Sequence, residues 1–144
     1  MKPQGFTEGY LLYLMAHASA AASDAFHAEI ARDGVSVTTW RILGSLYPDR
    51  QLNVGTLARM SLLKQPTLTR QLDRLCADGV TMRHHAKDDR RGVLVELTDK
   101  GRGLARGLID RAQAHEAGIL EGFSAEEVTD LKARLKSLID RAGD

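Results

Sequence analysis

The sequence predicts a mainly helical fold with one small β-hairpin, an α+β class in which helices dominate. Apolar residues recur every three or four positions along most of the chain, which is the spacing of amphipathic helices. The spacing changes to two only after Gly79, which is typical of a strand pair. The alternating apolar residues there are Val80, Met82, Val93, Val95 and Leu97.

The composition is that of one folded domain. The 144 residues are 43% hydrophobic and 27% charged, so we expect a single domain over residues 1–144. Cys76 is the single cysteine, which excludes an intramolecular disulfide and a cysteine metal cluster. No leader-like segment occurs, nor the run of roughly 18 apolar residues that a membrane span requires. We therefore expect a cytoplasmic protein with no membrane partner, no metal and no cofactor.

Two helices are predicted in the first third of the chain. No proline interrupts residues 9–32, and their periodic apolar residues predict a long amphipathic helix with Thr7 as its N-cap. Its many alanines allow another helix to approach closely. Ser36 is the expected cap of a second helix over residues 37–47, which Pro48 ends.

A helix-turn-helix is predicted between residues 53 and 77. Asn53 caps a short helix that breaks near residues 61–63, and a further helix runs from Gln65 to Ala77. Two short helices with so tight a join are typical of this motif. In the second of them, leucines at spacings of four and three should face the core. These are Leu68, Leu72 and Leu75.

The hairpin that follows has the charge of a DNA-binding wing. Residues 61–92 hold seven basic and four acidic side chains, although the whole chain has a net charge of only +1. The hairpin tip, residues 86–92, is polar and basic at its far side. A helix-turn-helix followed by such a hairpin is a winged helix-turn-helix, here over about residues 36–98, and the partner it predicts is double-stranded DNA.

Amphipathic helices also follow the hairpin. Thr98 is the expected cap of a long helix that carries four glycines, which weaken it, and Ser124 opens an S-x-x-E capping box before a final helix. The apolar stripes of about residues 8–34 and 100–142 exceed what a small DNA-binding lobe can cover. Burial against a second copy predicts a homodimer; the alternative is that the two ends pack on each other within one chain. The stripes after the hairpin contain Leu104, Leu108, Ala112, Ile119, Val128, Leu131, Leu135, Leu138 and Ile139.

Residues 53–101 resemble the MarR family of transcriptional regulators. The similarity is carried by Leu57-Ala58, the run from Gln65 to Leu75, Gly79-Val80, Arg83 and the run from Asp89 to Gly101, while the rest agrees in pattern only. The resemblance implies a triangular homodimer with a winged helix-turn-helix lobe in each subunit. It also implies a dimer interface built from the first and last helices.

The first turns of the helix that starts at Gln65 should read DNA. A recognition helix presents these turns to base edges in the major groove, where Gln pairs with adenine and Arg with guanine. Asp73 should pair with an arginine and orient it. The alternative is a solvated helix whose charges only decorate the surface. The expected contacts on this helix are Gln65, Pro66, Thr67, Thr69, Arg70 and Arg74.

The wing should supply the remaining contacts. The resemblance implies that Arg91 enters the minor groove and that Asp89 holds it, and an inserted cation suits a narrow A·T-rich groove. Arg90 and Lys87 should contact phosphates. A charged hairpin tip that only aids solubility is the alternative.

The resemblance further implies a small-molecule effector, often an aromatic anion, bound between the dimerisation helices and the DNA lobe. Aromatic surfaces with a few polar groups are typical of such pockets. For Trp40 and His17 the alternative is a packing role. Some family members sense oxidants through a cysteine near the first helix, which this chain lacks, and Cys76 is expected to be a buried small side chain. The candidate lining residues are Tyr10, Tyr13, His17, Trp40 and Arg41.

These patterns predict a dimeric, sequence-specific DNA-binding regulator. The resemblance implies that it represses transcription until a small, phenolic or otherwise aromatic anion releases it from a pseudo-palindromic operator. The alternatives are a winged helix used for protein–protein contact and a regulator that needs no ligand. An enzyme is not expected, because no phosphate loop, nucleophile elbow or H-E-x-x-H pair occurs. His84 and His85 are adjacent in a strand and point to opposite faces, so they do not predict a metal site.

Overall fold

The computed structural model describes residues 5–88, 90 and 92–143. The chain divides into two compact units, residues 1–112 and 113–144. The mainly helical class with a small sheet is confirmed. In chain order the elements are α1 (Phe6–Gly9), α2 (Leu11–Arg32), α3 (Val37–Leu46), β1 (Leu52–Asn53), α4 (Val54–Ser61), α5 (Gln65–Ala77), β2 (Thr81–His85), β3 (Val93–Leu97), α6 (Asp99–Ile119) and α7 (Ala125–Ala142).

Side-chain caps begin two helices of the first unit where the sequence predicts them. The Ser36 hydroxyl accepts a hydrogen bond from the Thr39 N–H at 3.1 Å. The Asn53 side-chain oxygen accepts one from the Thr56 N–H at 2.8 Å. Each bond satisfies a donor that the first turn of a helix otherwise leaves free, so α3 and α4 start at defined residues.

The N-terminal helix starts differently from the prediction. Thr7 lies inside the short helix α1, so its expected role as an N-cap is wrong. The Thr7 carbonyl accepts a hydrogen bond from the Tyr10 N–H at 3.3 Å. Tyr10 then takes up an extended backbone, with φ −89° and ψ 116°, and the long helix α2 begins only at Leu11.

The sheet has three antiparallel strands in the order β1-β3-β2. The hairpin of β2 and β3 pairs Thr81 with Leu97 and His85 with Val93. The strand β1, in which Leu52 pairs with Val95, is not predicted from the sequence. A strand of two residues is too short to show a periodic pattern, and its partner is distant in sequence.

The core of the first unit lies between its helices and the inner face of the sheet. Leu68 and Leu72 are fully buried and Leu75 is nearly so, as predicted. Burying a leucine contributes on the order of 1.5–3 kcal/mol, so these side chains hold α5 firmly on the core. The other fully buried large apolar residues are Ile30, Ile42, Leu43, Leu46, Leu57, Val95 and Leu97.

One apolar residue of the predicted alternating pattern in the hairpin is exposed. Met82 is 44% exposed because its neighbour Thr81 takes the inward position of β2. In α6, Gly101, Ala105 and Leu108 are buried, whereas Leu104 and Ile119 of the predicted dimerisation stripe are exposed within one chain.

Gly101 has a packing role that the sequence alone does not reveal. It is buried at the start of α6, where an added Cβ would overlap the carbonyl oxygen of Val80. The Gly101 N–H donates to the Thr98 hydroxyl oxygen at 3.0 Å, which confirms Thr98 as the cap of this helix. Only a glycine lets α6 begin this close to the backbone that precedes β2.

The second unit, residues 113–144, contains α7. The Ser124 hydroxyl oxygen accepts from the Glu127 N–H at 3.1 Å, and the Ser124 N–H donates to the Glu127 carboxylate at 3.0 Å, so the predicted capping box is confirmed. Along this helix Leu131, Leu135 and Ile139 are exposed. None of the helices in the described residues is long and apolar enough to span a membrane.

Candidate nucleic-acid interface

The turn between α4 and α5 is built on a leucine in an unusual conformation. Leu62 has φ 59° and ψ 39°, which is the left-handed region. The Leu63 N–H donates to the Ala58 carbonyl at 2.9 Å, which closes the end of α4. Leu63 packs against the core, while Leu62 is 71% exposed. This turn ends α4 and starts α5 three residues later, so the predicted helix-turn-helix is present.

The outer face of α5 is polar and accessible. Its inner face is held on the core by three leucines, so the remaining positions point outward. The helix has Pro66 in its first turn and Lys64 at its N-cap, and the Lys64 side chain makes no capping bond to it. Free N–H groups and the helix dipole at this end favour a negative group. Of the six predicted contacts on α5, five are exposed and Thr67 is half-buried; the exposed ones are Gln65, Pro66, Thr69, Arg70 and Arg74.

Arg70 and Arg74 carry uncompensated charge. Across residues 5–88, 90 and 92–143, neither forms an ion pair with an acidic side chain. Some cations elsewhere are paired, and Arg111 contacts Asp33 at 2.6 Å and Glu29 at 3.2 Å. The hydrogen bond to Asp33 is the main cause that raises the Arg111 pKa above its ordinary value. The outer face of α5 is therefore a positively charged surface with free donors, which suits phosphate and guanine contacts.

Asp73 pairs with an arginine, but not with one on its own helix. Its carboxylate accepts a hydrogen bond from Arg83 of β2 at 2.8 Å. The same guanidinium nitrogen also donates to the Thr69 carbonyl of α5 at 3.3 Å. The sequence predicted an arginine partner for Asp73, yet only the structure shows that the pair joins α5 to the hairpin.

The described part of the wing is exposed and partly ordered by its own backbone. The Ala86 N–H donates to the Gly92 carbonyl at 2.9 Å, and the Arg90 N–H donates to the Asp88 carboxylate at 3.1 Å. The side chains of Lys87 and Arg90 are exposed, as phosphate contacts require. The two residues with predicted minor-groove roles, Asp89 and Arg91, lie outside the described residues, so their roles stay predictions.

One histidine of β2 and the single cysteine have local partners. His84 lies 3.8 Å from the Glu96 carboxylate, which also accepts a hydrogen bond from Gln51 at 2.8 Å. Among the described residues no cluster of three or more His, Cys, Asp or Glu side chains could hold a metal. Cys76 is half-buried, with its sulfur 3.3 Å from the Thr81 hydroxyl oxygen.

The five effector candidates fall into two groups in the structure. Tyr10, which precedes α2, is exposed, and on α2 Tyr13 lies beside His17 with ring centres 5.6 Å apart. His17 also borders a shallow groove of about 250 Å³ on the same helix. On α3, Trp40 and Arg41 are half-buried, and Trp40 packs edge-on against Phe26 with ring centres 5.3 Å apart.

The spacing along α2 separates these two groups. Phe26, which Trp40 contacts, lies nine residues beyond His17. A helix rises by 1.5 Å per residue, so this spacing is about 13 Å along the axis. Trp40 packs against the core, which agrees with the alternative of a packing role for this residue. The described contacts of one chain do not bring the five residues together in one closed pocket.

Comparisons with known proteins agree on a class of regulator. A family model described as MarR family matches residues 35–93. The HTH-type transcriptional regulator PecS of Dickeya dadantii is 33% identical over 105 residues, which is 73% of this chain and 61% of PecS. The HTH-type transcriptional repressor YetL of Bacillus subtilis is 29% identical over 110 residues, 75% of this chain and 66% of YetL. The chain thus spans slightly less than two thirds of the length of these curated relatives.

Solved structures extend the similarity over nearly the whole chain. A MarR family transcriptional regulator from Silicibacter pomeroyi is 38% identical with a TM-score of 0.82, and the match covers 95% of this chain and 98% of that one. The structure of NadR in complex with 4-hydroxyphenylacetate is 25% identical with a TM-score of 0.85, covering 96% of this chain and 97% of NadR.

Proposed function

Because this chain belongs to the MarR family of transcriptional regulators and is a DNA-binding regulator, we propose that it represses transcription as a homodimer. In this proposal α5 is the recognition helix and enters the major groove, while the wing, residues 86–92, reaches the neighbouring minor groove. A dimer bound across a promoter blocks access to it. YetL, named a repressor, supports this direction of regulation.

The observation that carries the proposal is the unpaired charge on α5. Arg70 and Arg74 are exposed and have no acidic partner among the described residues. Lys87 and Arg90 add exposed cations on the wing that follows in sequence. A winged helix used only for protein contact would have little need for exposed, unpaired arginines, whereas binding to DNA phosphates requires such cations. The relatives are regulators, and we propose no catalytic activity.

Dimerisation rests on apolar surface that one chain leaves exposed. Leu11 and Leu14 of α2 and Leu131 and Leu135 of α7 are all more than a third exposed. A two-fold dimer that buries such stripes would place two recognition helices on half-sites one DNA turn apart, roughly 34–36 Å. In this arrangement residues 8–34 and 100–142 form the dimerisation region.

A small phenolic anion is the proposed effector. NadR was solved with 4-hydroxyphenylacetate, which carries both a phenol and a carboxylate. Here ring surfaces, hydrogen-bond donors and one fixed positive charge are offered by Tyr10 just before α2, Tyr13 and His17 on α2, and Trp40 and Arg41 on α3. A second copy would complete the pocket, and a ligand that prefers the DNA-free form would shift the population toward release.

Selection from a random pool of duplexes tests DNA binding. We expect the wild-type protein to enrich one pseudo-palindromic sequence, to bind it with a steep salt dependence and to lose affinity when Arg70 is replaced by alanine. Arg70→Ala should cost about 1–3 kcal/mol if this side chain reads a guanine. Arg106→Ala, an exposed cation on α6, is the matched control. Failure to enrich any sequence at low salt would refute the proposal.

The effector is tested with 4-hydroxyphenylacetate as the first probe. We expect it to raise the melting temperature of the free protein and to release the enriched duplex, and we expect His17→Ala to weaken both effects. If none of the phenolic acids in a panel releases the duplex, the result would favour the alternative of a regulator without this kind of ligand.

A further inference from the structure

One arginine joins the two DNA-binding elements. Arg83 Nη2 donates to Asp73 Oδ1 at 2.8 Å and to the Thr69 carbonyl at 3.3 Å. This nitrogen carries two hydrogens, so both bonds form together. Thr69 and Asp73 are four residues apart on α5 and therefore lie on one face of the helix. The wing strand β2 is thus held to one face of the recognition helix across a full helical turn.

The contact between Arg83 and Asp73 lies away from the turn that connects α5 to β2, so it can restrain the angle between these two elements. Only residues 78–80 join α5 to β2, with Gly79 at φ 73° in the middle. A contact between the Cys76 sulfur and the Thr81 hydroxyl oxygen lies next to this turn. Arg83 and Asp73 meet farther from it along both elements. Backbone hydrogen bonds from the N–H groups of Gly79 and Val80 to the carbonyls of Cys76 and Leu75 hold the turn itself. The contact of Arg83 with Asp73 adds a restraint farther out, where it resists a change of angle between the two elements.

We infer that Arg83 is a positioning residue, which holds the wing and the recognition helix at one mutual angle so that both grooves are read by one rigid body. The inference rests on the proposed function. It differs from the roles of Arg70 and Arg74, because Arg83 is directed at the protein rather than at DNA. Its contribution is to the preference for one sequence, since only a fixed geometry matches a particular pattern of base edges.

The pair also removes a repulsive charge from the interface. Asp73 is exposed on α5, with 62% of its side chain accessible. A free carboxylate there would repel the phosphates, and the Arg83 guanidinium neutralises it. Removing Arg83 therefore changes two things, the geometry and the local charge, while neutralising Asp73 changes the geometry and lowers the repulsion.

Two duplexes and three variants separate these effects. The duplexes are the one that the wild-type protein enriches and an unrelated one of equal length, and affinity is measured at fixed salt. Asp73→Asn should leave affinity for the unrelated duplex unchanged or higher, and should lower the preference for the enriched duplex by about three- to tenfold. Arg83→Ala should weaken binding to both duplexes, and to the enriched duplex more strongly, so that the preference also falls. Adding Asp73→Asn to Arg83→Ala should restore general affinity but not the preference.

An ion pair elsewhere provides the matched control. Arg134 and Asp130 on α7 are also 2.8 Å apart and exposed, so Asp130→Asn should leave both affinities unchanged. A merely stabilising role for Arg83 would lower the melting temperature and reduce binding to both duplexes equally. The inference is overturned if Asp73→Asn and Arg83→Ala keep the wild-type preference within about twofold. A wild-type protein that enriches no duplex would instead overturn the proposed function, and the inference with it.

Discussion

The DNA-binding lobe and the last helix differ in whether their apolar side chains are buried within one chain. In the lobe, Leu68 and Leu72 of α5 are fully buried within a single chain. In α7, which has equally regular apolar spacing, Leu131 and Leu135 remain exposed. The two patterns look alike in sequence, yet one is completed by its own chain and the other is not. Periodicity thus predicts an apolar face, but not whether the same chain covers it.

The largest effect is expected in the lobe. Leu72→Ala removes a fully buried side chain and leaves a cavity, so it should reduce the free energy of unfolding by about 2–5 kcal/mol. Urea denaturation measures this, and the loss should be the same at every protein concentration. Leu62→Ala, at a side chain that is 71% exposed, is the control and should change stability by about 0.5 kcal/mol or less. A small loss in Leu72→Ala would show that the lobe core is not closed as described.

A glycine pair in α6 tests close packing within the same lobe. Gly101→Ala places a Cβ on the Val80 carbonyl oxygen and should cost about 1–3 kcal/mol in the free energy of unfolding. Gly103→Ala, where the added Cβ meets open space, should instead stabilise the helix by about 0.5–1 kcal/mol. Thermal and urea unfolding of both variants give the comparison. Equal effects at the two positions would mean that helix propensity alone governs this region.

The α7 face should respond through assembly instead of folding. Leu135→Asp places a charge in the exposed stripe and should raise the dissociation constant of the proposed homodimer by about tenfold or more, while the lobe stays folded. Sedimentation over a range of concentrations measures it. Ala133→Asp is the control, because position 133 is two residues away and about 200° around the helix. If both variants assemble like the wild-type protein, the stripe of α7 is not part of an interface.

Local features were predictable from the sequence and non-local ones were not. The caps Ser36, Asn53 and Ser124 act on backbone groups within three residues, so the sequence identifies them directly. The strand β1 and the fit of Gly101 depend on partners far along the chain, which no local pattern reveals. The same holds for the candidate site. The exposed side chains of α5 follow from helical spacing, whereas the contact of Arg83 with α5 depends on how the hairpin folds back.

The smallest expected effect is a pH response at the start of α7. The backbone N–H of Ser124 donates to the Glu127 carboxylate and is the main cause that lowers the pKa of Glu127 below its ordinary value of 4.5. The charged form is therefore bonded in the folded helix. Its contribution is fully present above about pH 4.5 and is lost as the pH falls through the lower value of the folded protein.

Glutamine at position 127 separates this titration from the capping bond itself. Its amide oxygen can still accept from the Ser124 N–H, but it does not ionise, so Glu127→Gln should abolish the acid response while the cap remains. Hydrogen exchange and chemical shifts of the amides at residues 124–128 measure the acid response as the pH is lowered from about 6 to about 3. Glu126→Gln removes a neighbouring carboxylate that has no part in the capping box, and should respond like the wild-type protein. An acid response that persists in Glu127→Gln would place its origin outside the box, whereas its loss in that variant alone would tie the stability of the α7 N-terminus to one ionised side chain.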